Sequence, residues 1–345
     1  MRNVTVLTIC LLMQLGATAQ KKELVYRNLI MEGGGIKGIA YGGALKELEQ
    51  QGVMQHIIRV AGTSAGAIQA ALVAVGYSAE EIADIITNTP IESFNDGGIV
   101  SRSSKRLVKK YGWFQGDKFR AKMENLIFLR TGNMNLTFSD LHVLAQTYPF
   151  RDLYVTGCNL SNQEVEVFSY ETYPNMRIVD AVRVSMSIPL YYRALWLNSE
   201  GKVIEDPKPE DGCRLFVDGG LLMNYPVEVF DNTKYLANNE GKHKEIYNEE
   251  TIGLRLERCE QIDHEIEKHT GLAPFEIKDF GSYMSALSSV IMRNVHPLHP
   301  RDSERTIYIN DLGMSARVRK VPEQEKELMM LSGQHGVLEF FRRLP

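Results

Sequence analysis

The chain is short of cysteine and tryptophan, carries no large excess of either charge, and contains a single long apolar run. Four cysteines in 345 residues are too few for a disulfide framework, and none stands at zinc-ligand spacing. A formal charge of −4, from 39 Lys and Arg against 43 Asp and Glu, provides no basic field to gather nucleic acid. No internal repeat or low-complexity tract is present, which excludes solenoids and long disordered linkers. With 44% hydrophobic and 24% charged residues, what remains is an ordinary globular protein with enough chain for a sizeable core.

The apolar run lies at the N-terminus. Arg2 and the terminal amine precede apolar residues from Val4 to Leu15, and Gly16-Ala17-Thr18-Ala19 follows. A basic start, about a dozen apolar residues and a small-residue site describe a secretory signal peptide over 1–19, cut after Ala19. The expected mature chain is 20–345, in the periplasm or outside the cell. The run is too short to span a bilayer. Cys10 leaves with it, so Cys158, Cys213 and Cys259 remain, an odd number that cannot fully pair.

Hydrophobic periodicity predicts a strand over Arg27–Met31, a helix from Ile36 to Gly52, a strand over Ile57–Ala61 and a helix stopping near Gly76. Ser78-Ala79-Glu80-Glu81 is a capping box that opens a third helix. Strand, helix, strand, helix implies a parallel sheet with crossover helices. Further strands are expected at Leu153–Cys158, Val165–Ser169, Leu215–Val217, Thr251–Leu256 and Thr306–Ile309, with a closing helix over Glu323–Phe341. Asn198–Gly212 and Ala237–Glu250 read as surface excursions, so the expectation is one α/β domain.

Two glycine-rich turns join strand to helix. Gly33-Gly34-Gly35-Ile36-Lys37-Gly38 satisfies the dinucleotide pattern G-x-G-x-x-G. That pattern also requires an acidic residue at the end of the second strand, where this chain has Val60-Ala61-Gly62-Thr63, so a nucleotide is not expected. Gly62-Thr63-Ser64-Ala65-Gly66 is instead a G-x-S-x-G nucleophile elbow in the strand–turn–helix context that the motif demands. Parallel strands bring both turns to one edge. One turn then offers the Ser64 hydroxyl, and the other offers unhindered N–H groups for a developing oxyanion.

Ser64 needs a base. Asp96-Gly97-Gly98 has no strand before it and reads as a loop, whereas Asp218-Gly219-Gly220 directly follows the apolar Leu215-Phe216-Val217, placing its carboxylate at the same sheet edge. None of the eight histidines stands in a recognisable catalytic motif, and His296-Pro297-Leu298-His299 reads as a surface loop rather than a metal site. Arg102, Lys105, Arg106, Lys109 and Lys110 share a helical face beside Tyr111, Trp113 and Phe114. A solvated face over a packed aromatic turn is the preferred reading, and contact with lipid headgroups at a membrane periphery is the alternative.

These blocks together resemble the patatin-like phospholipases, with core motifs over 29–230 and a strand and helix completing the domain to 345. Gly33 to Gly38 resembles the family's glycine-rich oxyanion loop, Gly62 to Gly66 its serine elbow, and Asp218-Gly219-Gly220 with Asn224 and Pro226 its D-G-G block. Arg183 to Pro189 and Trp113 to Asp117 resemble the intervening blocks. The resemblance implies a three-layer α/β/α fold with a mostly parallel central sheet. It also implies a Ser64–Asp218 dyad without histidine, with Ser64 as nucleophile, Asp218 as proton acceptor, and N–H groups of Gly34, Gly35 and Ile36 as oxyanion donors. The implied activity is hydrolysis of phospholipid or other lipid esters through an acyl-enzyme, with no metal or cofactor. An acyltransferase using the same dyad, or a catalytically silent lipid-binding protein, are the alternatives.

Overall fold

The structure is a computed structural model that describes residues 24–238, 241, 243–269, 271–295 and 299–344. The expected signal peptide lies outside the described residues, as do His296 and Leu298. In chain order the strands are β1 (Asn28–Met31), β2 (Arg59–Gly62), β3 (Gly112–Phe114), β4 (Asp152–Asn159), β5 (Glu164–Phe168) and β6 (Leu190–Tyr192). They continue with β7 (Leu195–Leu197), β8 (Val203–Ile204), β9 (Arg214–Asp218), β10 (Thr251–Glu257) and β11 (Thr306–Asn310). The helices begin with α1 (Ala40–Gln50), α2 (Ala65–Ala74), α3 (Ala79–Asn88), α4 (Val100–Lys110) and α5 (Asp117–Thr131). Then come α6 (Phe138–Ala145), α7 (Ile178–Ser185), α8 (Cys259–Ile266), α9 (Phe280–Val295) and α10 (Glu323–Arg343).

Nine strands form the main sheet, in the order β11-β10-β1-β2-β4-β9-β7-β8 with β5 also on β4. From β11 to β4 every pairing is parallel, as the alternation of strands and helices predicts. Strand β1 shows why: Leu29 and Met31 enter the main core while Ile30 points to the opposite face, all with no exposure. A strand buried on both faces reads as continuously apolar. Beyond β4 the sheet turns antiparallel through β9, β7 and β8. The one-face core packs against α1, α2, α7 and α10. The other face carries Tyr225, Val227, Phe230 and Tyr235, the last three in short 3-10 turns, with α8 beside β11, so helices and turns flank a mostly parallel central sheet as expected.

Local expectations met the structure closely where the signal was local. Ser78 Oγ accepts from Glu81 N at 3.2 Å and Glu81 Oε2 accepts from Ser78 N at 2.8 Å, the two halves of the capping box. The helix expected from Ile36 instead opens with a 3-10 turn over Gly35–Ile39 before α1. The excursion over Asn198–Gly212 contains β8, which pairs with β7. Strands β3 and β6 pair with each other as a separate two-stranded sheet that the sequence did not announce.

Candidate active site

Ser64 stands between β2 and α2 with φ 51° and ψ −118°, in the left-handed region that a non-glycine residue enters only under constraint. The two glycines of the elbow supply that constraint. A Cβ at Gly66 would collide with the Met31 carbonyl, and one at Gly62 would collide with Gly66 itself. The turn is therefore tight enough to lift Ser64 out of the sheet edge. Its backbone N–H is held by Ser185 Oγ at 2.9 Å, and the Thr63 hydroxyl below it meets Thr156 Oγ1 at 2.6 Å.

Asp218 arrives at the same place from the opposite direction. Strand β9 is antiparallel to β4 and pairs Asp218 with Gly157, so its C-terminal end runs back toward the end of β2. Asp218 lies at the same sheet edge as Ser64, reached by an antiparallel route rather than with the parallel set. Asp218 is 5% exposed. Its Oδ1 accepts from Gly220 N at 2.8 Å. Burial pushes its pKa up to about 7, against the pull of the Gly220 N–H and the smaller pull of the Ser64 hydroxyl. Ser64 is the side chain whose hydroxyl acts on the carboxylate. Gly219 sits against Thr156, where a Cβ would meet the Thr156 hydroxyl.

The glycine loop divides into anchors and free donors. Gly33 N–H donates to the Asn224 carbonyl at 3.0 Å, so Gly33 anchors the loop and is not an available oxyanion donor. Lys37 N–H is likewise taken by the Gly34 carbonyl at 3.2 Å, and Lys37 Nζ pairs with Asp311 at 2.6 Å, which ties the loop to the chain after β11. Gly34, Gly35 and Ile36 form the cap and first turn of the 3-10 helix, where N–H groups have no intrahelical acceptor. Gly35 has φ +55°, and a Cβ there would strike the Ala316 carbonyl. Gly38 abuts Ala65 at the foot of α2, with a would-be Cβ 3.0 Å from the Ala65 Cβ.

Several residues around this site carried no assignment from the sequence. Glu32, the residue before the loop, accepts from Leu256 N at 2.8 Å and from Asn224 Nδ2 at 3.3 Å. Burial raises its pKa to about 7 although Arg255 lies 3.5 Å away. Arg255 also pairs with Glu257 and Glu265 at 3.0 and 2.7 Å. A carboxylate directly before a G-G-G run was visible, but its partner lies more than two hundred positions along the chain.

Ser64 separates two kinds of space. On one side an apolar cavity, about 850 Å³ with open solvent included, runs from Gly35 and Ser64 past Ile68, Leu72, Phe119 and Met123. On the other a polar cleft, about 1450 Å³ with open solvent included, joins Ser64 and Asp218 to Lys37, Arg255 and Ser289. Among the described residues no histidine lines either space. Asp96 is elsewhere, and its carboxylate caps α5 by accepting from the N–H groups of Gln115, Gly116, Asp117 and Lys118.

Over 211 residues the chain is 30% identical to "Uncharacterized protein R571" of Acanthamoeba polyphaga mimivirus, covering 61% of this chain and 63% of that protein. It is 32% identical over 216 residues to "Uncharacterized protein YqhO" of Bacillus subtilis, covering 61% and 68%. It is 22% identical over 209 residues to "Probable lipid hydrolase 463L" of Invertebrate iridescent virus 6, covering 60% and 64%. The fold is similar to the crystal structure of VipD from Legionella pneumophila, with a TM-score of 0.56 at 16% identity over 92% of this chain and 67% of that one. The family model described as patatin-like phospholipase matches residues 29–231, from β1 through the Asp218 block, and the chain belongs to that family.

Proposed function

We propose that the protein is a serine hydrolase of lipid esters, working through Ser64 and Asp218 without a histidine. The observation that carries the reading is the position of the Ser64 hydroxyl. It faces a buried carboxylate whose pKa stands at about 7, at the junction of an apolar cavity and a polar cleft. A carboxylate poised near neutrality can take the Ser64 proton as the hydroxyl attacks an ester carbonyl. The carbonyl oxygen becomes an oxyanion beside the free N–H groups of Gly34, Gly35 and Ile36, a stabilisation of the kind worth about 3–4 kcal/mol per donor. The acyl chain belongs in the apolar cavity and the alcohol portion in the polar cleft. Collapse of the tetrahedral intermediate expels the alcohol, which takes the proton from Asp218. Water activated by Asp218 then releases the fatty acid and frees Ser64.

Fatty-acid release from phosphatidylcholine vesicles and from a soluble short-chain ester tests the reaction. The expected result is loss of at least about a thousandfold in Ser64→Ala and in Asp218→Asn, with a fluorophosphonate probe labelling Ser64 in the wild type. Activity retained in Ser64→Ala would sink the proposal. The membrane-exported location is proposed on residues 1–19 alone, and native protein beginning at Gln20 is the expected N-terminal sequence.

A further inference from the structure

Helix α9 is built the wrong way round for a helix facing water. Phe280, Tyr283, Leu287, Val290, Ile291 and Val295 recur at helical spacing and are all exposed, Phe280 at 77%. The small residues Ser282, Ala286 and Ser289 are the half-buried ones. Ser288 and Ser289 line the polar cleft together with Ser64, Asp218 and Arg255. From Phe280 through Met292 there is no charged residue. A contiguous uncharged apolar stripe left in water marks a contact surface.

Two observations say what covers it. The stripe shares α9 with Ser288 and Ser289 of the Ser64 cleft, so whatever covers it lies beside the entrance of that cleft. A second copy of the chain on this face would close that entrance, whereas a lipid layer would present ester bonds to it. The stripe also asks nothing of charge, and a protein of net charge −4 gains nothing from anionic headgroups at long range. The basic stripe on α4 is a poorer candidate. Its Arg106 is spent on the carbonyl of Gly97, and Lys110 pairs with Glu205 and Asp206 at 3.6 and 3.2 Å.

We propose that α9 is a docking helix that inserts its apolar stripe at the headgroup–acyl boundary of a lipid aggregate and so seats the Ser64 cleft on that surface. The choice of occupant rests on the lipid-ester reading of the site. The side chains inserted are those of Phe280, Leu287 and Ile291, which line neither the cavity nor the cleft.

Cosedimentation with phosphatidylcholine vesicles tests the docking in full-length Ser64→Ala protein, which leaves the vesicles intact. The triple variant Phe280→Ser, Leu287→Ser, Ile291→Ser is expected to lose partitioning by about tenfold or more, and wild-type partitioning is expected to be insensitive to added salt. With Ser64 restored, the triple variant loses vesicle hydrolysis but changes hydrolysis of a soluble butyrate ester by less than about twofold. Unchanged partitioning overturns the proposal, as does partitioning that falls steeply with salt. Equal loss on both substrates shows that α9 only shapes the cleft, and a dimer that the triple variant dissolves shows that the occupant is a second copy. Either result also overturns it. If the triple variant fails to fold, the single variant Leu287→Ser carries the same readouts. Should wild type hydrolyse no ester, the proposed reaction fails while the vesicle partition still decides the docking.

Discussion

Asn224 and Gly33 hold each other twice. Gly33 N–H donates to the Asn224 carbonyl at 3.0 Å, and the Asn224 side-chain amide donates to the Gly33 carbonyl at 3.0 Å. The same amide reaches Glu32 Oε1 at 3.3 Å, so a residue six positions beyond Asp218 fixes the base of the glycine loop. The D-G-G block thus places both the proposed base and the proposed oxyanion donors. Asn224→Ala removes the side-chain half of that link while leaving Ser64 and Asp218 intact. The expected outcome on a soluble ester is a fall in kcat of about tenfold to a hundredfold with KM little changed, because a misplaced donor costs transition-state binding rather than substrate binding. A change confined to KM would show that Asn224 serves the alcohol site instead.

The pH dependence of activity and of stability should run in opposite directions. As proton acceptor Asp218 must be ionised, so kcat/KM on a soluble ester should rise through an apparent pKa of about 7. The folded protein binds that proton more tightly than the unfolded chain, whose carboxyl titrates near 3.8. Stability is therefore lost as pH rises from about 3.8 to about 7, the cost being that of holding a buried charge. Asp218→Asn removes the cost, and its Tm advantage over the wild type should widen across that window and then level off. Glu32, also raised to about 7, adds a loss of the same sign, so melts in a Glu32→Gln background isolate the Asp218 contribution.

Met123 and Leu126 line the apolar cavity from α5. Both are almost fully buried. If an acyl chain lies along this cavity, Met123→Phe shortens the space without touching Ser64 or Asp218. The ratio of kcat/KM for a long-chain ester to that for a butyrate ester is expected to fall about tenfold. A uniform loss on both esters would instead report distortion of the elbow, and a thermal melt separates simple overpacking, which typically costs about 1–3 kcal/mol.

What the sequence made legible was whatever a few adjacent residues decide among themselves. Gly62 has no room for a side chain because the turn's own backbone closes on it, and Gly66 has none because the end of β1 does, yet the pattern spans five adjacent residues and can be read from them. Asp218 was legible as the polar end of an apolar triplet. The direction of β9 was not, because strand direction is set by pairing with β4, which lies far away in the chain. The same holds for β3 and β6, short strands that pair only with each other across a long separation. Glu32 directly precedes the glycine loop in the sequence, yet its buried partner Arg255 comes from β10 and only the closed sheet brings the two together. In α9 the apolar spacing was present in the sequence, but periodicity does not say whether a stripe faces the core or solvent.

The two Asp-Gly-Gly triplets show how context divides one pattern between two uses. Asp218 ends a strand at 5% exposure, whereas Asp96 lies half-buried in a loop, where each of its oxygens accepts two backbone N–H groups at the start of α5. The distances are 2.8 Å from Gln115 and from Gly116, 2.7 Å from Asp117 and 3.1 Å from Lys118. Burial alone would raise the Asp96 pKa, but the four donors outweigh it and hold the pKa below the ordinary carboxylate value. A lowered pKa means that the folded state favours the ionised form. The stabilisation is therefore present above the ordinary carboxylate pKa and disappears as pH falls through the depressed value. Asp96→Ala should cost about 1–2 kcal/mol near neutral pH, in line with loss of a helix cap, and the difference from wild type should shrink in acid. Thermal melts across pH check this, and a cost independent of pH would mean that Asp96 contributes by packing rather than by its charge.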